Sequence, residues 1–544
     1  MPFEPVETHR GVVVARNGAV AASQPLAVSA GLNVLAGGGT FADAAIAASA
    51  VLCVVEPWAS HLGGDAFLIT FDARTRETLA FNGSGAAPRT ATREAYANGI
   101  PERGLRAATV PGLVSTWFAL HARFGSRPVA ELLAPAIGYA RDGFAAGPRW
   151  VRQFSANADL LASRPELCAA LGSDADVQLG DTIRQPALAW TLEQIASEGE
   201  AAFYKGIVAE RIAAHAARNA NGHFSLDDLA AHRTRVLPPL QVGYRGLIVS
   251  GQPPPSQGHI LLQELALAEG FDLAGMDEAD RTHVLVEAKK LAFADRNAFL
   301  ADPEIATGVP AIESLLTPGY AARRRSLIRL DRALADPPVG DPTAAGTDTT
   351  YFLAADKTGS AVSFIQSVFH SFGSAEVAAG TGVLFNNRLT GFSLDPASPN
   401  VLAPGKRPAH TLNAWLATHA RSGALAHVGG SPGGHVQVQT NLQLLVALVD
   451  GGMDPQQAAE RWRWQHLAGS AVSGGEPANG GAGILEVESR AGDDLLAALH
   501  ARGHDAHTIG PWAHGSAAQV LSVLPGGAFA AGSDPRCDGH AAGI

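Results

Sequence analysis

Residues 336–351 read DPPVGDPTAAGTDTTY, and the change of character inside this stretch governs how the rest of the chain is read. From Asp336 to Asp348 the run is rich in Pro, Gly, Asp and Thr and has no hydrophobic period. That composition predicts a flexible internal loop that tolerates cleavage. At Thr349 it turns into strand-like sequence: Thr349–Ala355, then Ala361–Phe369 after a turn at Lys357–Ser360, then Gly382–Phe385. A threonine that opens a strand directly after such a loop becomes a new amino terminus if the loop is cut. Its α-amine, with an ordinary pKa of ~7.7–8, can then act as base for its own hydroxyl. Thr-Thr-Tyr is also a good plain strand opener, so the hexapeptide 346–351 alone leaves both readings open.

Outward from this junction, the first third alternates apolar runs with glycine-rich turns. Strands are expected at Gly11–Ala15, Val20–Ser23, Phe67–Phe71 and Glu77–Asn82, and helices at Pro25–Ala36 and Phe41–Val55. The second helix is apolar on every face and only about a dozen residues long in its most apolar part, below the ~18–20 of a membrane span, so it reads as a core helix. From Val110 to about Ala301 the period is mostly helical, clearest at Leu113–Phe124, Val129–Asp142, Pro186–Ser197 and Thr282–Phe299. Strand and loop at Leu240–Val249 and Gln252–Gly258 interrupt it. The last third adds helices at Thr440–Val449 and Leu495–Ala501 and strands at Gln519–Leu524 and Ala528–Ala531.

Composition narrows the possible functions. The 544 residues are 47% apolar and only 17% charged, below the ~25% usual for charged residues, which excludes an extended disordered chain. Lysine and arginine number 40 against 51 acids, for a net charge of −11, and the basic residues are scattered, which argues against a nucleic-acid groove. Cys53, Cys168 and Cys537 are too few and too far apart for a disulfide scaffold or a zinc knuckle. No His/Asp/Glu spacing suggests a metal, His61 reads as structural, and no cofactor motif is present. The amino-terminal segment has no apolar signal core, so a cytoplasmic protein off the membrane is expected.

Two more segments carry chemistry. Gly429-Gly430-Ser431-Pro432-Gly433-Gly434 offers bare backbone N–H groups that can face a developing oxyanion, although an ordinary turn has the same sequence. Lys406-Arg407-Pro408 is either a basic lid or a solvated loop.

The order of these segments resembles the γ-glutamyltransferase family of N-terminal-nucleophile hydrolases. GVVVARNGAVAASQPLAVSAGLNVLAGGGTFADAAIAA, HLGGDAF at 61–67, VPG at 110–112, LLAPAIGYARDGF and VEAKKLAFADRNAFLADP come first. DTTYFLAAD, GVLFNN, PGKRP, GSPGG and GSDPRCDG follow, so the resemblance spans nearly the whole chain. It implies an α/β, four-layer αββα sandwich made by a precursor that cuts itself between Asp348 and Thr349. The implied subunits are 1–348, with a helical insertion at about 110–300 and the processing loop 336–348, and 349–544. They would form an αβ heterodimer, and a dimer of such pairs stays open. By the same resemblance Thr349 is the nucleophile, Ser367 activates it, Gly433 and Gly434 form the oxyanion hole, and Thr411 and Asn387 lie against substrate.

Departures from the family pattern bear on substrate. The arginine that holds a glutamyl α-carboxylate falls at Ser84 here. The residues that hold the α-amine fall at Phe369, Arg388 and Gly391, and one of a serine pair is His410. Arg388 would repel an ammonium, which disfavours a glutamyl group. Its planar fork suits a carboxylate instead, with His410 and His370 as further donors, unless it pairs structurally with an acid elsewhere. The expected activity is therefore cleavage of an amide of a small acid, as in the oxamate amidohydrolase and cephalosporin acylase branches. A true γ-glutamyltransferase with a rebuilt clamp and a self-processed binding protein are the alternatives.

Overall fold

The computed structural model describes residues 7–220, 222–335, 348–467 and 483–544. Two seven-stranded antiparallel sheets form its centre. Their strands are β1 (Val13–Ala15), β2 (Gly18–Ala22), β3 (Asp65–Asp72), β4 (Glu77–Asn82), β5 (Arg235–Leu237), β6 (Leu240–Tyr244) and β7 (Leu247–Gly251). After these come β8 (Asp348–Asp356), β9 (Ala361–Phe369), β10 (Trp415–His419), β11 (Leu425–Gly430), β12 (Gln519–Val523), β13 (Phe529–Ser533) and β14 (His540–Gly543). One sheet has the order β14-β2-β8-β9-β3-β4-β5 and the other β1-β13-β12-β11-β10-β7-β6.

The strands are apolar on both faces because both faces are covered. In β8, Tyr351, Leu353 and Ala355 point into the core between the sheets, beside Ile365, Leu416, Val428 and Leu521. Phe352 and Ala354 alternate with them and point outward, beneath α1 (Pro25–Ala36) and α2 (Phe41–Val55). On the far side, α3 (Gly258–Ala268), α4 (Glu278–Phe299) and α5 (Val436–Val449) cover Val249, Trp415, Ala417 and Val520. The result is the expected αββα sandwich. Thr40 and Asp43 cap α2 reciprocally, and small side chains let its backbone approach α1: a Cβ on Gly31 would lie 3.1 Å from Ala44 O.

Three expectations are corrected. Gly382–Phe385 is not a sheet strand. Gly382 has φ +66° and packs against Ala187 and Leu188, and only single bridges hold Leu384 to Val377 and Phe385 to Gly63. Leu240–Val249 is a hairpin, not one strand, because Arg245 and Gly246 both take positive φ (47° and 79°) and reverse the chain. The helical insertion expected at about 110–300 ends earlier: after Ala231 the chain returns to both sheets as β5 and β6, then builds the helices that cover the second sheet. The expected cleavage loop lies outside the described residues except for Asp348, which opens β8. Among the described residues no helix is long and apolar enough to cross a membrane.

Candidate active site

The first turn of β8 is irregular. Asp348 pairs with Phe369 and Thr350 with Gln366, so the register slips at Thr349. Such a bulge re-aims one side chain out of the alternation. Thr349, only 4% exposed, donates from Oγ1 to Ser367 Oγ at 3.2 Å, and the Phe369 N–H donates to the same Ser367 oxygen at 2.8 Å. Its neighbour Thr350 is directed elsewhere: its hydroxyl lies 2.6 Å from Ser23 Oγ, which in turn donates to Glu56. The two adjacent threonines are thus distinguished by the fold: Thr349 meets Ser367 on β9, and Thr350 meets Ser23 beyond β2.

The loop 431–435 leaves β11 at that end and leads into α5. Gly433 and Gly434 have φ of +113° and +57°, conformations that favour glycine, and no described residue accepts from their N–H groups. A narrow cleft with about 60 Å³ of room is lined by Gln257, Arg296, Phe369, His410, Thr411 and His435, among others. Gln257 Nε2 donates to the carbonyls of Thr411 (2.8 Å) and Gly434 (3.0 Å), tying the two walls together.

Behind Phe369 lies a fully buried ionic group. The Arg388 guanidinium stacks 3.9 Å from the Phe369 ring centre, and its Nε is 3.6 Å from Asp65 Oδ2. His410 Nε2 stands 3.7 Å from the same oxygen. All three side chains are closed to solvent, yet Asp65 Oδ2, the three guanidinium nitrogens and both His410 nitrogens make no hydrogen bond. Burial raises Asp65 to about 6 against the pull of Arg388, and burial lowers Arg388 only to about 10, so the arginine stays charged. Burial, with Arg388 and Arg407 nearby, keeps His410 far below its ordinary value and neutral. The guanidinium is thus held between the Phe369 ring and Asp65, with none of its five donors in a hydrogen bond among the described residues.

Other expected residues stand apart. Arg388 does not line the cleft, because Phe369 lies over it and Asp65 is its acid partner. Asn387 and His370 occupy each other: Asn387 Oδ1 accepts from the His370 N–H and Nδ2 lies 2.9 Å from His370 Nδ1, with Glu102 alongside. Ser84 is buried at the Asp65 turn and does not reach the cleft. His61 is structural, accepting the Leu384 N–H at 3.1 Å, with burial lowering it to about 3. Cys53 is a core residue. Sequence reasoning assigned no role to Asp65, Gln257, Arg296 or His435. Two signals were available, since His435 directly follows the glycine pair and Arg296 sits inside VEAKKLAFADRNAFLADP.

The fold also joins His283, Glu287 and His504, whose possible ligand atoms lie within 4.8 Å of one another. Their hydrogen-bonding roles are filled. His283 donates to Arg329 O and accepts from His504, while Glu287 takes the Lys290 ammonium at 2.8 Å and the Leu334 N–H at 2.9 Å. A hollow of about 680 Å³ opens near Arg164, His215 and Glu376, where Glu376 pairs with both Arg164 and His215.

Two stacked antiparallel sheets between helical layers, with a hydroxyl pair at the start of an inner strand, define the architecture of the N-terminal-nucleophile hydrolases. Within that class the Gamma-glutamyltranspeptidase family pattern matches residues 27–544, and the chain belongs to this family. It is 38% identical over 529 residues to the glutathione hydrolase-like YwrD proenzyme of Bacillus subtilis, covering 95% of this chain and 97% of the relative. Against the oxamate amidohydrolase proenzyme of Klebsiella pneumoniae it is 36% identical over 543 residues, covering 97% and 99%. The structure superposes on the cephalosporin acylase of Bacillus halodurans with a TM-score of 0.89 at 34% identity, covering 100% and 98% of the two chains.

Proposed function

We propose that this chain is a self-processing amidohydrolase that cleaves the amide of a short carboxylic acid. The observation that carries the reading is the Thr349–Ser367 hydroxyl pair at a strand bulge, supported by the N–H groups of Gly433 and Gly434, for which no acceptor lies among the described residues. In the precursor, Thr349 Oγ attacks the Asp348 carbonyl. An N→O acyl shift and hydrolysis of the ester then release the Thr349 amine. In the mature enzyme that amine takes the hydroxyl proton while Ser367 holds Oγ in place. The oxygen attacks the substrate amide, Gly433 and Gly434 receive the oxyanion, the amine leaves with a proton, and water resolves the acyl-enzyme. Loss of one oxyanion donor costs roughly 10²–10³ in rate.

The acid character of the substrate rests on the Arg296 cation and the neutral His410 and His435 that line the cleft, and its shortness on the narrow cleft. Oxamate, the mono-amide of oxalate, fits both, and similarity to a named oxamate amidohydrolase supports the choice. A second reading is γ-glutamyl transfer through a rebuilt clamp, for which Asp65, the acid ion-paired with Arg388, would have to serve as the carboxylate.

Intact mass of the purified protein beside its Thr349→Ala variant tests processing. Cleavage before Thr349 gives fragments of about 36 and 20 kDa, mass being divided in proportion to length. The variant stays at 56.1 kDa. A variant that still cuts itself removes Thr349 from the mechanism. Turnover of oxamate, malonamate and a γ-glutamyl anilide then separates the two substrate readings. Self-cleavage with no turnover of any of them leaves a binding protein.

A further inference from the structure

Arg296 and His435 face the cleft from two covering helices that are distant in sequence. Arg296 lies near the end of α4, and His435 stands at the start of α5, directly after the glycine pair. Arg296 Nη1 is 2.7 Å from His435 Nδ1. A guanidinium has only donors, so His435 Nδ1 accepts, and the neutral ring carries its proton on Nε2. Nε2 is closed to solvent and meets no acceptor among the described residues. The arrangement is therefore a preset N–H donor with no partner among the described residues, carried by a side chain that lines the cleft.

The arginine is held in turn. Its Nε and Nη2 donate to Asn297 Oδ1 at 3.0 and 2.9 Å, and Nη1 also reaches Gln257 Oε1 at 3.4 Å. Gln257 binds the Thr411 and Gly434 carbonyls, so the donor, the Thr411 wall and the glycine loop share one network. Burial lowers Arg296 to about 9, which leaves it cationic at neutral pH, and burial beside that cation keeps the His435 ring uncharged. A neutral donor backed by a fixed positive charge complements an anionic acceptor and repels an ammonium.

We infer that His435, oriented by Arg296, is the side chain that reads the carboxylate of the short acid amide while Gly433 and Gly434 take the scissile oxygen. Arg296 is a positioning residue and His435 the contacting one. The inference rests on the amidohydrolase reading above and adds which atom recognises the acid.

The test uses processed wild-type, His435→Ala, His435→Gln, Arg296→Gln and the His435→Ala/Arg296→Gln double variant. Readouts are self-cleavage, kcat and KM for oxamate, and inhibition by oxalate. A hydrogen bond to a charged group predicts that His435→Ala raises KM and the oxalate inhibition constant by about 10–100-fold, with self-cleavage intact. His435→Gln, which keeps an N–H donor, recovers most of that loss. Arg296→Gln raises KM too, and the double variant is no worse than His435→Ala alone, because Arg296 acts through His435. Wild-type oxamate turnover with unchanged KM and oxalate inhibition in His435→Ala overturns this inference alone. Loss of self-cleavage in that variant reassigns His435 to maturation and also overturns it. A wild type that cuts itself but turns over no acid amide overturns the amidohydrolase reading and this inference with it.

Discussion

Asp65 is the residue on which pH sensitivity converges. It is fully buried beside Arg388, Arg407 and the neutral His410, and burial raises it to about 6. Between pH 7 and 5 it gains a proton and releases its claim on Arg388. Because its folded value lies above the ordinary one, its ionised form opposes the native packing, and this opposition grows as pH rises through about 6. The field of Arg388 reaches His435 on the cleft wall, so once Asp65 no longer offsets it, KM for an acid amide is expected to fall as pH drops from 7 to 5. In Asp65→Asn it is low and flat over the same range. Steady-state kinetics from pH 5 to 8 read this directly, and an Asp65→Asn enzyme that keeps the wild-type slope removes Asp65 as the cause. Sequence pattern could name Arg388 and His410 but not their acid neighbour. Asp65 opens β3 and Arg388 follows β9 by nearly twenty residues, so only sheet pairing brings them together.

At the scale of elements, strand and helix periods were legible wherever one pattern ran uninterrupted, as in α1, α2, β4 and β9. They failed at Gly382–Phe385 and Leu240–Val249, where positive-φ residues redirect the backbone. The glycines of HLGGDAF show why such positions escape pattern reading: they matter for what approaches them. A Cβ on Gly64 would fall 2.4 Å from Ser367 O, and one on Gly63 2.2 Å from Leu384 O. The β3 entry thus presses directly on the backbone that carries Ser367. Gly64→Ala must displace that strand end, at a cost of about 1–3 kcal/mol in stability. Its expected phenotype is a lowered melting temperature together with slow self-cleavage, followed by calorimetry and a timed gel. Wild-type cleavage in a destabilised Gly64→Ala protein would show that the contact is structural only.

For the whole molecule, the strand order decides what a cut at Thr349 can do. In the sheet of Thr349, β8 and β9 lie between β2 and β3, and in the other sheet the run β10 to β13 lies between β7 and β1. The two prospective subunits therefore interleave in both sheets and share the apolar core between them. Separation would expose that core and the edges of inner strands, so the fragments are expected to stay together after cleavage. On native size exclusion they co-elute at 56.1 kDa or a multiple of it, and they part only in denaturant. Fragments that separate under native conditions would contradict the interleaved topology.

The sequence by itself determined the alternation of apolar strands and covering helices, the strand that opens at the 348–349 junction and the glycine pair at 433–434. These are local properties, set by side-chain period, backbone freedom and residue type. Tertiary structure alone decided the rest. It separated Thr349 from Thr350 through a one-residue register slip and turned Asn387 and His370 toward each other instead of the cleft. It placed Asp65 against Arg388 and Arg296 against His435. Those outcomes depend on which strands and helices become neighbours, and a buried charge or an unpartnered donor exists only once the surrounding chain has excluded water from it.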